Sequence, residues 1–241
     1  MLRNYFLIPT VLLVLNGLVA QEKPNPLEGI DLRTVKMHYD WANFAKYDEQ
    51  NQEVVVEDNE GRVVFMGNSI TEGWARNMPE MFDNQTYINR GISGQTTPQM
   101  LIRFRTDVID LKPKVVVILA GTNDIAGNTP LKDLETVAGH MASMAELANQ
   151  NNIKVILCSV LPAADYPWRP GKSPDTQIPL LNAQIKAYAE KKGFYYLDYF
   201  SIMTDGKNGL NENYGNDGVH PNMEGYKVMR KMVLNAIGGL L

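Results

Sequence analysis

Asp217 and His220 stand three apart in the stretch Asn216-Asp217-Gly218-Val219-His220-Pro221-Asn222. In a loop bent by Gly and Pro, such a pair can fold so that the carboxylate accepts from one ring nitrogen. The other nitrogen then faces a hydroxyl as general base. A hydroxyl suited to that base is Ser69, in Gly67-Asn68-Ser69-Ile70-Thr71-Glu72-Gly73-Trp74. A serine in a strand-to-helix turn lies over backbone N–H groups that favour developing negative charge. Taken alone, this stretch favours a helix N-cap over a nucleophile. Thr71 also keeps it from matching the Gly-x-Ser-x-Gly elbow.

Two further turns supply donors. Asn89-Arg90-Gly91-Ile92-Ser93-Gly94-Gln95 carries two glycines that let a backbone approach a ligand, and the Gly94 N–H can donate to an oxyanion. A plain tight turn explains the stretch equally well, and a phosphate loop is excluded because no Gly-Lys-Ser/Thr follows. In Gly121-Thr122-Asn123-Asp124 the Asn123 amide is an uncharged donor, with an Asn/Asp turn as the plainer reading. Each stretch is ambiguous by itself. Together they hold a nucleophile, two oxyanion donors and a base with its orienting acid, which is what acyl transfer needs.

The composition narrows the choices. Only three histidines occur, His38, His140 and His220. His38 has no acid at the same spacing, and His140 lies off the apolar stripe of its helix and is expected to be solvated, so His220 is the base by elimination. The single cysteine, Cys158, excludes an intrachain disulfide and a thiolate zinc site. A catalytic zinc also wants about three protein ligands, and none joins Asp217 and His220. A net charge of −4 argues against a nucleic-acid partner.

The elements that must position these residues alternate in type. Apolar runs at Val63–Met66, Thr86–Asn89, Val115–Ala120, Ile153–Leu161 and Phe194–Leu197 read as strands. Helical patterns cover Asp31–Tyr47, Pro98–Leu111, Leu131–Asn149, Ile178–Lys192 and Met223–Ile237. Buried strands alternating with amphipathic helices predict an α/β protein with a parallel sheet covered on both faces. Functional residues of such sheets gather beyond the carboxyl ends of the strands.

In order and placement, these four stretches resemble the blocks of the SGNH (GDSL) hydrolase superfamily. Gly67-Asn68-Ser69-Ile70 resembles Gly-Asp-Ser-Leu, Gly91-Ile92-Ser93-Gly94 the second block, Gly121-Thr122-Asn123-Asp124 the Gly-x-Asn-Asp block, and Asp217-Gly218-Val219-His220 the Asp-x-x-His block. Asn68 and Ile70 depart from the first block at positions that break no bond. The resemblance implies a flavodoxin-like three-layer α/β/α sandwich of about five parallel strands and ester hydrolysis without metal or other cofactor. Ser69, Asp217 and His220 take the catalytic positions. The Ser69 and Gly94 N–H groups and the Asn123 amide form the oxyanion hole. Ser93 and Ser159 also lie near strand ends but begin helices less cleanly.

Asn68, Trp74, Tyr166, Trp168 and Arg169 are the candidates for substrate contact, the last three in a proline-rich stretch after the fourth strand. For Tyr166 and Trp168, packing is slightly favoured over stacking on a sugar. At the N-terminus, Arg3 precedes an apolar run over residues 5–19 that ends at Ala20. This layout predicts a cleavable signal peptide over residues 1–20, a leader over 21–30 and one domain over 31–241. The run is shorter than the roughly 20 residues of a membrane span, so no stable anchor is expected, and the product is expected to be secreted or periplasmic. Export and the absence of an extended apolar lid favour a short-chain, acetyl-type ester on O-acetylated carbohydrate. The resemblance to acylhydrolases of the platelet-activating-factor acetylhydrolase type points the same way. The alternatives are a lysophospholipase or thioesterase, and a silent glycan-binding module on the same fold. An FMN binder ranks last, because no Ser/Thr-rich phosphate loop follows the first strand.

Overall fold

A computed structural model describes residues 39–56, 59–83, 86–130 and 133–241. The expected signal peptide, the leader and His38 lie outside the described residues. In chain order the elements are α1 (Asp48–Gln52), β1 (Val63–Gly67), α2 (Ser69–Asn77), β2 (Tyr87–Gly91), α3 (Thr97–Phe104), β3 (Val115–Leu119), α4 (Thr122–Ile125), α5 (Leu134–Gln150), β4 (Lys154–Cys158), α6 (Pro174–Lys192), β5 (Tyr195–Leu197), α7 (Tyr199–Met203) and α8 (Met223–Gly238).

All five strands are parallel, in the order β2-β1-β3-β4-β5. This is the doubly wound, flavodoxin-like order. Period-two alternation sends neighbouring side chains of each strand to opposite faces. Val64, Met66, Val116, Ile118 and Leu157 face a core closed by α3, α5 and α6, through residues such as Phe104, Met141 and Leu181. Val63, Phe65, Val117, Leu119 and Ile156 face a second core closed by α2, α7 and α8, through Trp74, Met203, Met229 and Val233. Helices therefore cover both faces, in three layers.

The register sets up the site. Gly67, the last residue of β1, pairs with Gly91 of β2 and with Leu119 of β3. The first three motif stretches thus leave the sheet at one level, side by side. A Cβ on Gly91 would lie 2.2 Å from the backbone N of Glu72, so only glycine lets the end of β2 pack against the start of α2.

Two expectations are corrected here. The helix expected over 31–47 does not form in its described part. Residues 44–46 make a 3₁₀ turn, capped by the Asp40 carboxylate, which accepts from the N–H groups of Phe44 and Ala45. Asn43 before it has a left-handed backbone, φ 56°, which ends any continuous helix. His140 is also not a free surface group. It is half-buried, and its Nδ1 lies 2.9 Å from the Thr97 hydroxyl. Burial lowers its pKa. Cys158 lies buried in β4, as its apolar neighbours predict.

Candidate active site

Ser69 opens α2 directly after β1. The helix starts there because the Asn68 side chain accepts from the Ile70 N–H at 3.0 Å, an N-cap. The first N–H groups of a helix have no partner inside it and are left to face whatever lies at its end. The Ser69 Oγ is 2.9 Å from Nε2 of His220.

His220 is held by its own loop. The Asp217 Oδ1 accepts from the backbone N–H groups of Val219 (3.0 Å) and His220 (2.7 Å), while Oδ2 lies 2.7 Å from His220 Nδ1. One carboxylate therefore folds the turn and orients the ring, which is why a spacing of three suffices. Partial burial works to raise the Asp217 pKa. The His220 backbone N–H, the imidazole and the Val219 N–H outweigh it, so the carboxyl titrates below its ordinary value. The hairpin closes where Asn216 N–H donates to His220 C=O and Asn222 N–H to Tyr214 C=O.

The donor side is built from two loops. Gly94 has φ +80°, a conformation that favours glycine. The Asn123 Nδ2 donates to the Gln95 carbonyl at 2.9 Å, which fixes the amide and leaves its second N–H free to point elsewhere. Ser69, Gly94, Asn123 and His220 line one cleft of about 440 Å³, with Arg76, Ser93, Asn128 and Trp168. Sequence reasoning therefore named residues that the fold brings together from four separate turns.

It missed the supports. The Glu72 carboxylate accepts from the Ser93 N–H at 2.7 Å, and it also holds the Ser93 hydroxyl and Lys46. This ties the loop of Gly94 to the helix of Ser69. Asn128 Nδ2 donates to the Gly94 carbonyl at 2.9 Å from the opposite side. Below both, buried Arg103 reaches Gln95 Oε1 (2.6 Å), Asp107 Oδ2 (2.7 Å) and the carbonyls of Arg90 and Gly67. A signal for Glu72 existed: with Arg76 it falls on the Ser69 face of α2 at helical spacing, whereas Ile70 and Trp74 share the opposite, buried face.

Of the five candidates for substrate contact, only Trp168 lines the cleft. It is 46% exposed, and its ring centroid is 5.7 Å from that of His220. Trp74 is 2% exposed, packed edge-on against Phe65 and stacked on Tyr226 in the core. Asn68 is buried as the helix cap. Tyr166 is fully buried, with its hydroxyl 2.9 Å from that of Thr122. Arg169 donates to the carbonyls of Ala126 and Gly127. Tyr166 and Arg169 therefore anchor the loop that presents Trp168, tying it to the turn that carries Asn123. Neither rival serine touches an imidazole. Ser93 is held by Glu72, and Ser159 is fully buried with its Oγ accepting from Phe200 N–H. Among the described residues, no group of three or more His, Cys, Asp or Glu side chains is placed to hold a metal ion.

Comparison with known proteins identifies the family and the fold. The crystal structure of a GDSL-like lipase from Bacteroides thetaiotaomicron VPI-5482 is 48% identical, with a TM-score of 0.80, covering 83% of this chain and 100% of that one. An acetylxylan esterase from Xylanibacter ruminicola is 28% identical over 214 residues, 73% of this chain and 43% of the relative. Platelet-activating factor acetylhydrolase IB subunit alpha2 from Homo sapiens is 32% identical over 119 residues, 46% of this chain and 48% of the relative. The matched segments thus span less than half the length of these two curated relatives. The model of the GDSL-like Lipase/Acylhydrolase family matches residues 65–228, from β1 through the Asp217–His220 loop into α8, and the chain belongs to that family.

Proposed function

We propose that this GDSL-family acylhydrolase is a secreted serine esterase that removes short acyl groups, acetyl above all, from O-acetylated carbohydrate. The observation that carries the chemistry is the chain of contacts from Ser69 Oγ through His220 to Asp217, at 2.9 and 2.7 Å. In this reading His220 Nε2 takes the Ser69 proton as Oγ attacks the ester carbonyl. The tetrahedral oxyanion is held by the Ser69 and Gly94 N–H groups and the free N–H of Asn123. His220 returns its proton to the leaving alcohol, giving an acyl-enzyme. It then removes a proton from water, whose attack releases the acid and restores Ser69. Asp217 stays ionised throughout and stabilises the imidazolium, in keeping with its lowered pKa. Asn123→Ala should lower kcat by about 10²–10³ with little change in KM, because the lost donor acts mainly on the oxyanion.

Support for the carbohydrate side is the indole of Trp168, exposed beside His220 on a loop anchored at Tyr166 and Arg169. The acetylxylan esterase relative points the same way. Secretion is supported by the apolar run before Ala20. The test is a p-nitrophenyl ester series of increasing acyl length, run beside acetylated xylan. Activity should peak at acetate, with acetate released from the glycan. A peak at long acyl chains, or no release from glycan, would overturn the assignment in favour of a lysophospholipase or thioesterase.

A further inference from the structure

A second cleft of about 400 Å³ adjoins the catalytic one, and Ser93, Gly94 and Asn128 line both. That volume lies within the roughly 300–1,000 Å³ of small-molecule sites. Trp41, 39% exposed, lines this second cleft. The site is built rather than loose. Gln99 Nε2 donates to the Trp41 carbonyl at 2.8 Å, and Gln95 Nε2 to the Ala42 carbonyl at 2.6 Å. The Asp40 carboxylate is occupied in capping the turn that follows. Asn43 also lines the cleft, and its Oδ1 is buried with no hydrogen-bond partner among the described residues.

The lining chemistry selects a ligand. No lysine or arginine borders this cleft, so it offers no cation to a phosphate or carboxylate. Around the indole stand Ile92, the amides of Gln99 and Asn128 and the hydroxyl of Thr129. These three polar groups each keep hydrogen-bonding capacity beyond their internal bonds, whereas the Gln95 amide is spent on the Ala42 carbonyl and Arg103. An aromatic face with a rim of neutral donors and acceptors suits a pyranose ring, which has apolar C–H faces and a belt of hydroxyls. A hydrocarbon chain would use the indole and none of the amides. Trp168 borders the catalytic cleft on its His220 side, and Trp41 lies beyond Gly94 in the neighbouring cleft.

We propose that the cleft at Trp41 is a second glycan subsite. It takes a neutral sugar residue of the same oligosaccharide whose acetylated unit sits at Ser69, so the substrate is a chain rather than a single sugar. This rests on the carbohydrate-esterase reading above, and the two fail differently in one experiment. Initial rates of the full-length enzyme are measured on singly acetylated xylo-oligosaccharides of two to six units and on p-nitrophenyl acetate.

For the wild type, kcat/KM should rise with oligosaccharide length by about tenfold, through KM. Trp41→Ala should remove that rise while leaving p-nitrophenyl acetate hydrolysis unchanged, which also shows that the variant is folded. Trp41→Phe should retain part of it. A wild-type rate that is independent of length overturns the subsite even if no variant folds. So does a Trp41→Ala enzyme that keeps the rise. A change in acyl-length preference on p-nitrophenyl esters would make the cleft an acyl pocket instead. If the wild type cleaves p-nitrophenyl acetate but no acetylated oligosaccharide, the carbohydrate reading itself fails, and the subsite with it.

Discussion

Ser69→Ala should reduce ester hydrolysis to the rate supported by binding and the oxyanion donors alone. In serine hydrolases that remainder is about 10³–10⁴ over water, and loss of the nucleophile costs about 10⁶ in kcat. At about 1.36 kcal/mol per decade this is about 8 kcal/mol of transition-state stabilisation. The expectation follows from position. Ser69 Oγ is within hydrogen-bond reach of an imidazole that is itself held by a carboxylate, and neither Ser93 nor Ser159 has such a partner. Folding should be little affected. The helix cap belongs to Asn68 and the core contacts of α2 to Ile70 and Trp74, so removing the Ser69 hydroxyl disturbs neither. Initial rates on p-nitrophenyl acetate, with thermal melts as a control, check both statements. Retention of more than a few per cent of activity would assign the nucleophile elsewhere.

Asp217→Asn should cost about 10⁴ in kcat, or about 5.5 kcal/mol, with the loop still folded. The Asn carbonyl can still accept from the N–H groups of Val219 and His220, so the turn survives. Its amide nitrogen cannot accept from His220 Nδ1. The ring is then driven to the tautomer with Nε2 protonated, which cannot take the Ser69 proton. Stability supplies a second readout. The folded pKa of Asp217 is depressed, so its carboxylate stabilises the fold above the unfolded value, and that increment is lost as pH falls through the folded value. The Tm gap between wild type and Asp217→Asn should therefore be largest above roughly pH 4 and shrink in more acidic buffer.

The centre of the sheet was legible because β1 and β3 are unbroken apolar runs. Val63–Gly67 and Val115–Leu119 are buried along their whole length, and their short, β-branched runs, closed by Gly67 and Gly121, favour strands. The four motif stretches were legible because residue type and order carry their chemistry, and the strand register then places the first three at one level. Exposure was not legible. Trp74 was grouped with substrate contacts because it follows the nucleophile stretch, yet its i,i+4 relation to Ile70 puts both on the core face of α2. Tyr166 and Trp168 are two residues apart and near-identical in type. Only the fold buries one against Thr122 and leaves the other over His220. The N-terminal segment reads as helical from Asp31, a possible N-cap, to Tyr47. Tertiary contacts prevailed: its backbone carbonyls accept from Gln95 in the loop of Gly94 and from Gln99 of α3. Glu72 and Arg103 each had a local signal, the helical spacing of Glu72 with Ser69 and the i,i+4 pair of Arg103 with Asp107. What no local pattern records is their hold on backbone groups of distant turns.

The central claim is that Ser69 forms the covalent bond to the acyl group. Its most direct test is labelling of the wild-type enzyme with a fluorophosphonate, followed by peptide mass mapping. The account predicts one adduct, on the peptide containing Ser69, lost in Ser69→Ala and strongly slowed in His220→Ala. An adduct on Ser93 or Ser159, or none on an enzyme that hydrolyses p-nitrophenyl acetate, would contradict it.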